Sequence, residues 1–527
     1  MRPQPLPDGF RAYEWSPSSA EVAARHGLSR EQVLRFDQNT PPLPGVPQLP
    51  LAESFARLNE YPDGTFRELR EAAAAYSSAG ADQIVAEQIV VGAGADELIA
   101  LCASTYLGPG RSAAITQPTY GLYRIVTELE GAAVVAKPAG ADLIWACNPN
   151  NPTGELVDPA ELAALARTHP DAAVVVDEAY FEFAGATCVP LVAEQPNLIV
   201  LRTLSKAFGF AALRVGYAVA VPRVAAELEL RRAPASISAP SARIAAAALR
   251  DPRLDVADTI EERERVRAAL LAAGYDCPAT ETNFVYVRTP EPLGAQLEAQ
   301  GLVVRSFSEG IRVTIARSRE NDVLLAALGA PGSAAPGRTA FVSRTTTETA
   351  LRLSLDLDGR GRVRVATGIG FLDHLLNLCA FHAGFDLELQ AGGDLDVDEH
   401  HTVEDVLAAL GDALAEALGA REGIARYGSA VVPMDEAQAT AAIDLVRRPH
   451  AEVALAFSGD RVGGLAPSLL PHALERLAMQ GALTLHVSSA GADDHHVAEA
   501  AFKALGQALR AACAPAGQGV RSTKGLA

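Results

Sequence analysis

Residues 172–180 read AAVVVDEAY, a short apolar run that ends abruptly in two carboxylates. A strand that is apolar on both faces belongs inside a sheet covered by helices on each side. NLIVLRTL (197–204) repeats the pattern downstream, and ELAALARTH (161–169) supplies a helical run upstream. Strands alternating with helices predict a mostly parallel α/β sheet, whose ligands gather at the C-terminal ends of its strands. Asp177 stands at such an end.

At 527 residues the chain is too long for one ordinary core. Its apolar fraction of 49% and charged fraction of 21% are those of a globular protein. A formal charge of −19, with no basic cluster to offset it, argues against nucleic-acid partners and leaves small anionic substrates open. The scattered Cys102, Cys147, Cys188, Cys277, Cys379 and Cys513 form no C-x-x-C pair and are expected to be buried thiols of a reducing compartment. MRPQPLPDGF has no apolar leader core, and no apolar run reaches about 18 residues, so a cytoplasmic protein without a membrane partner is expected. AALGAPGSAAPGRTA (326–340) reads as a linker after the helical run ENDVLLAAL. The expected domains are 1–328 and 338–527, joined by residues 329–337.

Around Lys206 the sequence is TLSKAFGFAALRVGY (203–217). A lysine in this setting can form a Schiff base with an aldehyde cofactor, while Thr203, Ser205 and Arg214 hold a phosphate. Asp177 can keep a pyridine nitrogen protonated. NPNNPTG (148–154) brings Asn151 toward a ring hydroxyl. VGAGADELI (91–99) offers the Ala95 and Asp96 amides at a helix start, and QPTYGLY (117–123) offers Tyr120 for stacking. These elements together point to pyridoxal-phosphate (PLP) chemistry.

These motifs, with RFDQNTPP (35–42), YPDGTFRELREAAAAY (61–76), TNFVYVR (282–288) and GIRVTIA (310–316), resemble fold-type I PLP-dependent aminotransferases, and within them histidinol-phosphate aminotransferase. The resemblance covers about residues 10–328. It implies that Lys206 is the Schiff-base lysine, that Asp177 pairs with the pyridine nitrogen, and that Asn151 and Tyr180 contact the ring oxygen. Ala95, Asp96, Thr203, Ser205 and Arg214 would hold the phosphate, and Tyr61 would reach it from the partner subunit of a dimer. Arg312 and Arg305 would bind the anionic groups of the substrate. The chain departs from the family pattern at Pro234–Ser238 and in a short loop between Arg305 and Arg312.

Nine of the 11 histidines lie at or after His374, so the last third of the chain is expected to do different chemistry. TALRLSLDLDG (349–359) alternates as a strand, and Asp358-Gly359 predicts a hairpin turn. Helical runs at 403–418 and 497–512 each follow a His-His pair, in EHHTVED and DHHVAEA, about 95 residues apart. His401 and Glu404, at i and i+3, share a helix face, as do His496 and Glu499. His400 and His495 then point elsewhere, and His374 and His472 are spare histidines upstream of each pair. Two metal sites of three histidines and one carboxylate account for all eight residues, and the ligand types suit Mn, Fe, Co or Zn. His450 reads as an ordinary residue.

RTTTET (344–349), TGIGFLDHLL (367–376), HAGFDLEL (382–389), DEHHTVEDV (398–406), RYGSAVVPMDEA (426–437), DDHHVAEAAFKAL (493–505) and STKG (522–525) resemble imidazoleglycerol-phosphate dehydratase over residues 338–527. The resemblance implies an α+β domain of two duplicated βαβ-type halves, about 338–425 and 426–527, and two Mn(2+) ions per active site. One ion would take His374, His401, Glu404 and His495, and the other His400, His472, His496 and Glu499, with ligands from more than one subunit. Glu348 is the candidate acid/base group. Glu348, His382, Arg426, Arg448, Ser522, Thr523 and Lys524 would contact substrate.

Together the resemblances imply a bifunctional enzyme of histidine biosynthesis. It would dehydrate imidazole glycerol phosphate to imidazole acetol phosphate and transaminate that ketone with glutamate. A homo-oligomer is expected, dimeric through the first part and more highly assembled through the second. The rival readings are an aminotransferase for another keto acid, such as an aromatic one, a PLP-sensing regulatory half, or one half kept as a scaffold.

Overall fold

In a computed structural model the chain divides into two compact units, Met1–Ala334 and Ala335–Ala527. The structure describes residues 6–7, 9–29, 32–41, 58–78, 84–252, 254, 256–290, 292–330, 338–517 and 519. Most of the predicted linker, 331–337, lies outside them, as do Ser522, Thr523 and Lys524.

After β1 (Leu34–Phe36), the first unit builds its main sheet from β2 (Ile89–Gly92), β3 (Ser112–Ile115), β4 (Ala133–Val135), β5 (Leu143–Cys147), β6 (Ala173–Asp177), β7 (Leu198–Thr203) and β8 (Gly216–Val219). Their order is β2-β8-β7-β6-β5-β3-β4, parallel except where β8 pairs with β7 and β2. Successive side chains of a strand point to opposite faces. Val174 and Val176 of β6 accordingly enter one apolar cluster, with Leu198 and Val200 of β7, while Val175 enters a second with Ile199 and Leu201. Both faces are covered, which is why these strands carry no polar alternation. β1 joins β9 (Phe284–Arg288), β10 (Leu302–Phe307) and β11 (Gly310–Thr314) in a smaller sheet, order β1-β10-β11-β9.

The second unit repeats one motif. β12 (Thr339–Thr345), β13 (Thr349–Asp356), β14 (Val363–Ala366) and β15 (Asp386–Gly393) pair in the order β12-β13-β15-β14. β16 (Tyr427–Met434), β17 (Ala437–Asp444), β18 (His450–Leu455) and β19 (Thr484–Ala490) pair in the order β16-β17-β19-β18. In each half a helix joins the third strand to the fourth, which run parallel, and a longer helix follows: Gly370–Ala383 and His400–Leu418, then Leu469–Gln480 and Asp494–Cys513. Both halves share one core.

The Asp358-Gly359 turn does not make a hairpin. The antiparallel neighbours of β13 are β12 and β15, and β14 lies beyond β15. Asp386, at the start of β15, accepts the Arg360 and Arg362 N–H groups at 2.7 and 2.9 Å. A Cβ on Gly359 would strike the same aspartate. The turn is thus pinned to β15, and the chain leaves it to cross over rather than to fold back.

Among the described residues no helix is long and apolar enough to cross a membrane. Five of the six cysteines are buried, and Cys147 is half-buried.

Candidate functional sites

Ligating groups collect where β6 and β7 end. Asp177, only 4% exposed, accepts the Tyr123 hydroxyl at 2.7 Å and the Ala179 N–H at 3.1 Å. Burial pushes its carboxyl up to about 6, against the pull of those two hydrogen bonds. Tyr123 is held by a parallel stack on Trp145, centroids 5.0 Å apart. Lys206 follows β7 with its Nζ 3.5 Å from the Gln38 carbonyl, and burial together with the Arg312 charge lowers its amine to about 8.

Arg214 and Asp96 pair at 2.8 Å, Tyr120 donates to Asp96 at 3.0 Å, and Thr203 donates to Ser205 at 3.0 Å. The helix Gly94–Tyr106 begins among them. Two glycines keep this corner open. A Cβ on Gly94 would lie 2.6 Å from the Arg214 guanidinium, and one on Gly216 would lie 2.8 Å from the Ala95 nitrogen. Backbone N–H groups at a helix start, a guanidinium and two hydroxyls form a cradle suited to a phosphate.

On the opposite side, Tyr180 is fully buried and accepts from the Asn39 amide at 2.7 Å. Arg312 donates to Asn151 Oδ1 and to the Asp37 carbonyl, each at 2.6 Å, and its buried Nε has no hydrogen-bond partner among the described residues. Arg305 faces Arg312 across the β10–β11 ladder and lies 5.7 Å over the Tyr13 ring. An unsatisfied buried guanidinium nitrogen costs stability unless a ligand completes it, so the pair fits an anionic group. Tyr61 stands 91% exposed.

Sequence reasoning missed Tyr123, Asn39 and Tyr13. Of these, Tyr123 has the sharpest consequence. Its hydrogen bond favours the ionised form of Asp177. The raised carboxyl keeps its proton longer in the folded protein than in the unfolded chain, whose ordinary value is 3.8, so stability falls as pH rises from there through about 6. Tyr123→Phe removes a donor and deepens that fall, by about 1–3 kcal/mol above pH 6 and by less below it. Thermal unfolding of both proteins at pH 5 and pH 8 measures it; an equal loss at the two pH values would sink the idea.

In the second unit the histidines form two groups, each drawn from both halves. His374 Nε2 and His495 Nε2 meet Glu499 Oε1 at 2.6 and 3.1 Å. His400 Nε2 and His472 Nε2 meet Glu404 Oε2 at 3.4 and 3.5 Å. In each trio the ligand atoms lie within 4.8 Å of one another, and imidazole nitrogens with a carboxylate oxygen fit a transition ion.

The grouping corrects the i, i+3 pairing expected from sequence. Glu404 turns to His400 and Glu499 to His495, both at i, i+4. Four residues advance a helix by about 400°, which is only about 40° off register, whereas three leave about 60°. His401 instead faces Asp394, and His496 faces Glu436. Gly411 and Gly506 hold equivalent places in the two long helices. A Cβ on Gly411 would lie 2.6 Å from the Leu477 carbonyl, and one on Gly506 would strike the Cys379 carbonyl. Their bare backbones let the helices of His472 and His374 pack close enough to complete each trio.

Each glutamate has its second oxygen on a cation: Glu499 Oε2 on Lys503 at 2.7 Å and Glu404 Oε1 on Arg476 at 3.0 Å. Burial raises the Glu499 carboxyl, but Lys503 and the imidazoles outweigh it and bring it down to about 2. Glu348 Oε2 lies 3.9 Å from His401 Nε2. His382 lies in the last turn of the helix Gly370–Ala383, and Arg426 is held on Asp444 at 2.7 and 3.0 Å. Arg448 opens the segment into β18, with its carbonyl accepting from Thr484.

Residues 27–328 match the family model for aminotransferase class I and II, and residues 367–509 match that for imidazoleglycerol-phosphate dehydratase. An imidazoleglycerol-phosphate dehydratase from Roseiflexus sp. (strain RS-1) is 49% identical over 193 residues, 36% of this chain and 97% of that protein. The histidine biosynthesis bifunctional protein HisB of Stenotrophomonas maltophilia is 47% identical over 188 residues, 36% of this chain; the match spans 52% of that protein, about half its length. An aromatic amino acid aminotransferase from Thermobifida fusca is 36% identical, covering 54% of this chain and 85% of that one. The solved histidinol-phosphate aminotransferase from Sinorhizobium meliloti, in complex with pyridoxal-5'-phosphate, shares the fold at a TM-score of 0.54 and 23% identity, covering 60% of this chain and 94% of that one.

Proposed function

Because the chain belongs to the class I and II aminotransferases by its first unit and to the imidazoleglycerol-phosphate dehydratases by its second, we propose that it performs two successive reactions of histidine biosynthesis. The second unit dehydrates imidazole glycerol phosphate to imidazole acetol phosphate. The first passes the amino group of glutamate to that ketone. The observation that carries this reading is that one chain holds both sets of groups, and the ketone left by the dehydration is an amino acceptor.

Pyridoxal phosphate, when bound, supplies an electron sink for the electrons of a substrate C–H bond. Asp177, ionised above about pH 6 and steadied by Tyr123, would pair with the ring nitrogen and favour its protonated form. Lys206 would hold the cofactor and, in its neutral form, would be the base that moves the substrate Cα proton. Ala95, Asp96, Thr203, Ser205 and Arg214 would hold the phosphate, with Tyr61 of a second copy. Tyr120 would stack on the ring, Asn151 and Tyr180 would contact its oxygen, and Arg312 with Arg305 would orient the substrate's anionic group.

In the second unit, two Mn(2+) ions would polarise the substrate imidazole and make the adjacent C–H acidic. The ligands would be His374, His400, His401, Glu404, His472, His495, His496 and Glu499. Glu348 would move the proton, and His382, Arg426, Arg448, Ser522, Thr523 and Lys524 would bind substrate. Oligomers, dimeric through the first unit and larger through the second, would complete sites that need a second copy.

The identity to an aromatic amino acid aminotransferase favours a second reading of the first unit, with an aromatic keto acid as acceptor. Supplying imidazole glycerol phosphate and glutamate decides between them. Histidinol phosphate and 2-oxoglutarate should accumulate, with kcat/KM for imidazole acetol phosphate at least about tenfold above that for phenylpyruvate, a difference of about 1.4 kcal/mol. The reverse preference would overturn the assignment of the acceptor.

A further inference from the structure

His401 and His496 are the members of the two His-His pairs that neither trio uses, and each has its Nδ1 on a carboxylate. His496 Nδ1 lies 2.8 Å from Glu436 Oε2. His401 Nδ1 lies 3.0 and 3.2 Å from the two oxygens of Asp394. The four histidines inside the trios all offer Nε2 to their glutamates.

The carboxylates come from different places in the repeat. Asp394 follows β15, whereas Glu436 sits in the turn between β16 and β17. The turn equivalent to the latter in the first half carries Glu348, which approaches His401 from its Nε2 side at 3.9 Å. His496 has Asp435 on its Nε2 side at 3.7 Å. The two halves have thus reached the same outcome, Nδ1 bonded to one carboxylate and Nε2 facing a more distant one, with non-equivalent residues on Nδ1.

A neutral imidazole has one N–H and one lone pair, and the partner of one nitrogen decides which is which. A carboxylate only accepts. It therefore fixes the proton on Nδ1 and leaves the lone pair on Nε2. We propose that Glu436 and Asp394 are positioning residues that lock His496 and His401 in the tautomer able to ligate a metal ion through Nε2. The inference rests on the reading of the second unit as a metal-dependent dehydratase.

Glu436 is under a constraint that Asp394 is not. Its Oε1 accepts the Asp493 N–H at 2.9 Å while Oε2 takes His496. The two donors sit on different oxygens, and an amide keeps only one of them, so Glu436→Gln must turn its NH2 toward one of the donors. Asp394 has both oxygens on the same imidazole nitrogen, so Asp394→Asn can rotate its oxygen into place. Asp394→Leu has no acceptor at all.

The test is calorimetric titration of the metal-stripped full chain with Mn(2+) alone, with oligomeric state followed by light scattering. E436Q and D394L should each weaken Mn(2+) binding about 10- to 100-fold, while D394N stays within about threefold of wild type. A residue that merely supported the fold would not separate D394N from D394L. Wild-type-like titration by E436Q or by D394L overturns the proposal for the histidine concerned. Should E436Q fail to fold, the D394N and D394L pair decides for His401, and the proposal is withdrawn for His496. A wild-type chain that binds no Mn(2+) overturns instead the metal-dependent reading on which the proposal rests.

Discussion

Lys206→Ala should abolish amino transfer, by at least about 10⁴-fold, while dehydration proceeds at the wild-type rate. Two features of the chain make the loss this large. It has only four lysines, and the other one in the first unit, Lys137, is exposed beside β4. No second amine can stand in for the buried one. Burial and the Arg312 charge also bring the Lys206 amine to about 8, so about a tenth of it is neutral at pH 7, against about 0.03% for an unperturbed lysine. The neutral fraction is what can accept a proton or attack an aldehyde. Lys206→Arg should be just as inactive, because a guanidinium stays charged at any working pH. Feeding imidazole glycerol phosphate with glutamate and following both products checks it. The ketone should build up without histidinol phosphate, and transfer within about tenfold of wild type would remove Lys206 from its role.

Much of the first site is legible in sequence because its groups lie where local pattern and strand position coincide. An apolar strand ending in Asp177 and a Gly-rich helix start need no knowledge of distant contacts. Tyr123 is different. An aromatic three residues past Tyr120, on the buried side of a short helix, looks like core, and only the pairing of β5 beside β6 brings it under Asp177. In the second unit the duplication is legible, and so are the six residues that the two trios bring together; His401 and His496 lie in neither trio. The partition into trios is not legible, since it depends on helix phase and on which helices meet. The glycines that allow that meeting, in ALGDAL and ALGQAL, recur at the same place in each repeat. That repetition was a usable signal. Asp394 and Glu436 carried none, because they reach their histidines from non-equivalent loops.

The carboxylates at the centre of the trios should be the most sensitive point of the second unit. In Glu499→Gln a neutral amide replaces an anion that faces two imidazoles on one side and Lys503 on the other. The variant loses charge from the ligand set and leaves the half-buried ammonium without its counter-ion. Mn(2+) affinity at that trio should fall at least about 100-fold and dehydration at least about 10³-fold, with amino transfer unchanged. Glu404→Gln should do the same through the other trio, where Arg476 takes the place of Lys503. A contrary account treats both trios as ion pairs that only hold helices together. The two accounts part in how metal affects melting. A ligand that binds only the folded state stabilises it by RT ln(1 + [L]/Kd), about 2.7 kcal/mol at a concentration 100 times Kd. Mn(2+) should therefore raise the Tm of the wild-type second unit and raise that of Glu499→Gln far less. If the ion pairs alone mattered, the variant would melt lower by the same margin with and without Mn(2+), and strong chelator would leave wild-type turnover intact.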